Sequence, residues 1–291
     1  MLNTESFYQK GPMNPLLKLI LLAVTFFPIT LKAVTGISIE DPTITYSVGL
    51  HAEYFEDETN QLTINQVSKE KWNKSTSEIP SFGFSTSSYW VRFQVTNLTD
   101  QKLDWYLELA HPLHDKITMY EVADRKVIAK TETGDSKPFN QRPVEHYNFV
   151  FPISLETNES KSIYIQVQSL NSMLFPLTLS SKNTFVEDIV YSVFGFGLYY
   201  GMMFVMAAYN LFLFLTIRSS AHLFYVLYIT ANTLFHMSLN GFGFQFLWPN
   251  WGGTWQNSST AILAPTTYIF LSLFCQKFRY IVSKIQILQI I

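Results

Sequence analysis

The stretch from Ile189 to Ile217, IVYSVFGFGLYYGMMFVMAAYNLFLFLTI, contains no Asp, Glu, Lys or Arg. A helix of about 20 apolar residues spans the hydrocarbon core of a bilayer, and this run exceeds that length. A helix on the surface of a soluble protein carries charge on one face, and no face here does. From Ile189 to Gln276 the only formally charged residue is Arg218. The chain therefore divides into a polar front part and a membrane back part, with Asp188 at the seam.

All 22 Asp and Glu of the 291-residue chain precede Ile189. Val34 to Asp188 carries 21 acidic and 13 basic residues, a net charge of −8. That balance argues against nucleic acid as a partner, because no basic stripe is available to neutralise phosphates. The single cysteine, Cys275, lies in the last apolar run, so neither an intramolecular disulfide nor a cysteine zinc site can form.

Residues 1–33 read as a signal peptide: Lys18 supplies the basic flank, Leu19 to Ile29 the apolar region, and Ala33 the small residue before a cut. An uncleaved anchor is the competing reading, which the short run and Pro28 disfavour. Residues 34–188 read as an all-β sandwich. Tyr89, Val91, Phe93 and Val95 alternate with Trp90, Arg92, Gln94 and Thr96, the period of a strand with one face in a core. Trp105 to Leu109, Ile117 to Val122, Phe149 to Leu155, Ile163 to Gln168 and Leu174 to Leu179 supply further strands. The acidic run Glu56-Asp57-Glu58 reads as a solvated loop, and Leu62 to Trp72 as a short helix. Short strands separated by turns, with no helical period between them, predict antiparallel packing.

Residues 189–280 read as three α-helical transmembrane segments: Ile189 to Ile217, Leu223 to Leu247 and Thr260 to Phe274. Trp248, Trp251 and Trp255 between the last two resemble an interfacial belt, and 281–291 form a cytoplasmic tail. Short cytoplasmic loops concentrate Lys and Arg. Arg218, and Lys277 with Arg279, are therefore inside, and the uncharged second link is outside. This topology exports the front part, as the signal peptide requires.

LHAEYFEDETNQLTINQV (Leu50 to Val67), SSYWVRFQVTN (Ser87 to Asn97) and TGDSKPFNQRPVEHYNFVFPISL (Thr133 to Leu155) resemble the extracellular domain of one known family. GLYYGMMFVMAAYNLFLF (Gly197 to Phe214), YVLYI (Tyr225 to Ile229) and GFGFQFLWPN (Gly241 to Asn250) resemble its membrane domain. The family is the bacterial seven-transmembrane receptors with diverse intracellular signalling modules. The resemblance runs from about Gly36 to Phe278 and implies a jelly-roll-like periplasmic sandwich, similar to carbohydrate-binding domains, on an inner-membrane protein. It also implies seven spans and an output module such as a cyclase or kinase. Three spans are read here, so a truncated or accessory form is expected.

His111, His114 and Asp115 cluster but give too few ligands for a metal, and read as a turn. No nucleophile elbow or phosphate-binding glycine loop occurs, so neither catalysis nor a cofactor is expected. Trp90 and Arg92 project together, as a sugar platform or as a cover on the sheet. Asp135, beside the turn-forming Gly134, and Arg142 form a candidate pair that pins a loop or contacts a ligand. In the membrane part Asn210 stands out, and Asn232, His236 and Asn240 follow at four-residue steps on one helix face. Such a face points at other helices, as packing or as a relay. Gly197-x-x-x-Gly201 suits close helix approach, so a helix partner or homodimer is expected. The leading expectation is a membrane sensor that binds an extracytoplasmic ligand, a carbohydrate among the candidates. The alternative is an envelope interaction protein binding a protein partner.

Overall fold

The computed structural model describes residues 36–288, the side chains of Thr254 and of 281–288 excepted; the expected signal peptide lies outside these residues. The front part is a sandwich of two main sheets. In chain order its strands are β1 (Gly36–Ile39), β2 (Tyr46–Ser47), β3 (Glu53–Asp57), β4 (Asn73–Lys74), β5 (Ser81–Phe84), β6 (Ser88–Asn97) and β7 (Leu103–Leu109). They continue with β8 (Lys116–Ala123), β9 (Lys126–Thr133), β10 (Phe149–Leu155), β11 (Ser160–Gln168), β12 (Ser172–Leu174) and β13 (Leu177–Ser181). The larger sheet runs β4-β3-β6-β11-β8-β9, with β1 parallel to the far end of β6. The smaller runs β10-β7-β13-β2, and β12 pairs with β5 alone.

The core lies between the main sheets because the strands alternate. Tyr89, Val91, Phe93 and Val95 of β6 face Leu103, Trp105, Leu107 and Leu109 of β7, with Phe151 of β10 and Ile165 of β11 among them. The acidic run is ordered where a loop was expected: β3 ends at Asp57, whose carboxylate accepts bonds from Thr59 and from the Leu62 amide. The expected helix is one turn, α1 (Ile64–Val67), closed by a Thr63–Gln66 capping box.

Three long helices follow: α2 (Lys182–Ile217), α3 (Ser220–Leu239) and α4 (Thr254–Leu288). Two of them, α2 and α4, are long and apolar enough to cross a membrane. The expected seam at Asp188 falls inside α2. That helix is 36 residues long, about 54 Å, well beyond a bilayer core. Its first turns pack on the smaller sheet, where Phe185 meets Tyr106 edge-on at 5.1 Å. The expected second span is also shorter than its apolar run. α3 ends at Leu239, and Gly241, with φ +76°, turns the chain into a π-helical turn at Gly243–Leu247. An added Cβ at Gly241 would meet the Tyr147 carbonyl oxygen at 2.6 Å, so the turn and the close approach both need glycine. The expected cytoplasmic tail continues α4 as far as Leu288.

Candidate functional site

Three places on the sandwich gather polar side chains. The first is a cleft of about 580 Å³ on the outer face of the larger sheet. Its floor is the solvent-side register of β6 and β11, with Gln94, Ser160, Ser162 and Tyr164. Ser68 and Asn65 beside α1 form one wall, and the β8–β9 turn, Asp124 and Arg125, forms the other. Both turn residues have positive φ, 49° and 61°, as a two-residue hairpin turn requires. Gln94 Nε2 donates to Ser160 Oγ at 2.6 Å, and the Tyr164 ring is held edge-on by Trp72 at 5.8 Å. A concave floor of hydroxyls and an amide beside one ring has the size and mixed character of a small-molecule site.

The second lies on the same sheet face, nearer the other end of β6. Trp90 has no exposed surface. It stacks on Tyr120 at 5.9 Å and is covered by Val67 and Trp72. Arg92 donates Nε and Nη2 to Glu53 Oε2 at 2.8 and 2.7 Å and lies 4.3 Å over the Trp72 ring. These two expected ligand residues form the sheet's cover, and neither lines the cleft.

The third is the corner where the sandwich meets the α3–α4 link. Here the structure brings together the other expected pair. Asp135 has no exposure and Arg142 only 6%. Arg142 Nη1 donates to the carbonyls of His146, Tyr147 and Asn148, and the guanidinium sits 4.2 Å over the Phe149 ring. Among the described residues its Nε and Nη2 and both Asp135 carboxylate oxygens have no hydrogen-bond partner. Burial and the nearby Asp115 push the Asp135 carboxyl up to about 8, against the pull of Arg142. Burial draws the Arg142 guanidinium down to about 9, which leaves it charged at neutral pH. His114 and His146 are held neutral, at about 3 and about 4, chiefly by burial.

The link is bound to this corner by backbone and side chain. Gly253 N donates to Asp135 O and Phe139 N to Pro249 O, both at 2.9 Å, and the Asn257 amide of α4 donates to the Asp115 carboxylate. An added Cβ at Gly252 would meet the carbonyl oxygens of Lys137 and Asp135 at 2.7 and 2.8 Å. Phe139, Phe244 and Trp248 form one apolar cluster. Trp248, expected in an interfacial belt, is instead buried against the sandwich, because its indole N–H finds Gln256 Oε1 at 2.7 Å. The link expected on the exported side is the one that touches the exported domain.

Among the helices, the Asn240 amide donates to the Tyr200 hydroxyl at 3.2 Å and His236 meets the Tyr199 ring at 6.0 Å. Both therefore face α2. Asn240 caps α3, and does not continue a helical face with half-buried Asn232. Asn210 donates to Met206 O within α2 and approaches His222 Nδ1 at 3.3 Å. Among the described residues nothing lies within 4 Å of where a Cβ would stand on Gly195, Gly197 or Gly201. Among the described residues no group of three or more His, Cys, Asp or Glu is placed to hold a metal ion.

Sequence reasoning reached Asp135 and Arg142 but missed the cleft and Asn257. The polar register opposite Phe93 and Val95 was visible in β6, and marked Gln94 as solvent-facing. Nothing in the sequence placed α1 and the β8–β9 turn on either side of it.

Two family models match. Residues 49–181 match 7TMR-DISM extracellular 2, and residues 192–291 match the 7TM diverse intracellular signalling domain. No curated protein matches the chain. Three solved glycosidases share partial similarity. A β-glucosidase from Kluyveromyces marxianus in complex with glucose is 6% identical over 45% of this chain and 16% of its own, with TM-score 0.27. A GH115 4-O-methyl-α-glucuronidase is 16% identical over 49% and 18%, with TM-score 0.25. A GH31 α-xylosidase from Xanthomonas citri is 11% identical over 48% and 16%, with TM-score 0.20. The chain thus spans less than a fifth of each, and similarity at this level carries no functional argument.

Proposed function

The chain belongs to the seven-transmembrane receptors with diverse intracellular signalling modules, and from that premise we propose that a small polyhydroxylated ligand, a carbohydrate among the candidates, is sensed in the cleft of its sandwich. The protein is a membrane receptor with an extracellular domain and membrane-crossing helices. We place it in a bacterial inner membrane with the sandwich in the periplasm. The observation that carries the reading is the β8–β9 hairpin. Its tip, Asp124–Arg125, is a wall of the cleft. Its base opens into Asp115 and Gly134-Asp135, the residues that hold Asn257 and Gly253 of the membrane part. Eight residues per strand carry a displacement at the tip over about 26 Å to the corner. A ligand that binds one hairpin position better than another thereby biases the helices. In this reading Asp135 and Arg142 act in the relay, Trp90 and Arg92 hold the cover of the sheet beside the cleft, and His236 and Asn240 tie α3 to α2.

The test uses the full chain in lipid nanodiscs, titrated calorimetrically with cello-, xylo-, malto- and chito-oligosaccharides. We expect at least one series to bind and Ser162→Trp, which fills the cleft, to abolish that binding. Absence of binding across the panel, or binding unchanged by Ser162→Trp, overturns the reading.

A second reading, binding to a protein partner, rests on the open glycine face of α2. A stoichiometric partner that co-purifies from gently solubilised membranes and is lost in Gly201→Leu supports it.

A further inference from the structure

The sandwich carries two exposed large apolar side chains at one end, Phe84 at 82% and Leu170 at 77% exposure. Phe84 ends β5 opposite Ser172 of β12, and Leu170 lies two residues before Ser172. This is the end that faces the membrane helices. The Leu170 amide donates to Asp115 Oδ2 at 2.6 Å, and the other oxygen of that carboxylate accepts from Asn257, the fourth residue of α4. The Asn171 side chain donates to Leu113 O at 2.9 Å, and Ser169 Oγ to the same carbonyl at 3.1 Å, so the loop is pinned with Leu170 pointing outward. The α3–α4 link carries two further exposed rings, Phe246 and Trp251.

The local charge is the second observation. Val34 to Asp188 carries a net charge of −8, yet Ser81 to Ser88 and Ser169 to Pro176 contain no Asp, Glu, Lys or Arg. An uncharged tip with an aromatic and an aliphatic side chain is the composition that enters the headgroup region of a bilayer; charged flanks would have to be desolvated. α4, long and apolar enough to cross a membrane, also starts close to this loop, because its Asn257 shares the Asp115 carboxylate with the Leu170 amide.

We propose that Phe84 and Leu170 insert into the leaflet on the sandwich side, so that the exported domain rests on the bilayer by a tip of its own in addition to the corner. Lipid contact at this tip fixes the tilt of the sandwich over the spans. It is independent of any ligand in the cleft.

The test labels single cysteines with an environment-sensitive nitrobenzoxadiazole dye in the full chain carrying Cys275→Ser, in phosphatidylcholine nanodiscs with and without lipid doxyl-labelled high on the acyl chain. Phe84→Cys and Leu170→Cys are compared with Leu98→Cys. Leu98 is 49% exposed, at the opposite end of β6, about 30 Å away. The expected result is blue-shifted emission and at least about twofold quenching at 84 and 170, as insertion of 5–10 Å requires, with none at 98. Equal quenching at all three positions overturns the proposal. So does shielding at 84 and 170 that appears in native membranes but not in pure-lipid nanodiscs, which assigns the tip to a protein partner.

Discussion

At the membrane-distal end of the sandwich the turns close on themselves; at the proximal end they are left open and closed by another part of the chain. Distally, Asn97 donates to the carbonyls of Gln101, Leu155 and Glu156 and accepts from Thr99, and Lys102 pairs with Glu156. Proximally, eleven of the fourteen buried side-chain atoms that lack a partner among the described residues lie on His111, His114, Asp135, Arg142, His146 and the 245–257 link. The proximal end is closed instead by Gly253 and Asn257 of another part of the chain, which is the arrangement of a coupling element.

The contrast can be broken at the corner, most severely through Gly134. Its φ is +144°, and an added Cβ would meet the Asp115 carbonyl oxygen at 2.0 Å. Gly134→Ala should cost more than about 4 kcal/mol, read as loss of cooperative unfolding and early proteolysis of the full chain. Arg142→Met should cost about 3 kcal/mol, because three buried carbonyls lose their donor. If it unfolds only the helices or only the sandwich, the corner does not couple them.

pH sharpens the comparison. Asp135 is raised in the fold to about 8 from 3.8, so the folded state holds a proton that the unfolded state releases. Its contribution is present below pH 3.8 and is lost as pH rises to about 8. His114 and His146 are lowered from 6.5, so their contribution is present above pH 6.5 and is lost as pH falls towards 3 to 4. Thermal unfolding of the wild type should therefore weaken towards both limits, and Asp135→Asn should remove the alkaline loss alone. The smallest effect belongs to the distal end. Arg125→Ala should change stability by less than about 0.5 kcal/mol while weakening oligosaccharide binding, since the side chain lines the cleft and supports no core.

Much of the sandwich was legible because one face of each strand is buried. Phe93 and Val95 against Gln94 and Thr96 specify β6 and its register. β9 was not legible, because it is a sheet edge whose Val127 and Ile128 are both exposed, so no alternation marks it. The start of α2 was hidden for a related reason. Lys182, Glu187 and Asp188 read as the end of the polar part, yet Phe185 among them is buried against Tyr106 of the smaller sheet. At the corner, Asp135 and Arg142 are close in sequence and could be paired by residue type. The bonds that close this corner, Asn257 on Asp115 and Gly253 on Asp135, join positions more than a hundred residues apart, which no local spacing encodes.

Hydrogen exchange of the full chain in nanodiscs, followed by mass spectrometry, tests most directly whether the corner joins the two parts into one unit. The Gly253 amide is bonded to Asp135 O in the link, and the Asp135 amide to His114 O in the sandwich. In Arg142→Met, peptides covering 134–142 and 248–257 should lose protection together, by the same factor. If 134–142 loosens while 248–257 keeps its wild-type exchange, the corner is a local loop support, and the sandwich and the spans are not coupled through it.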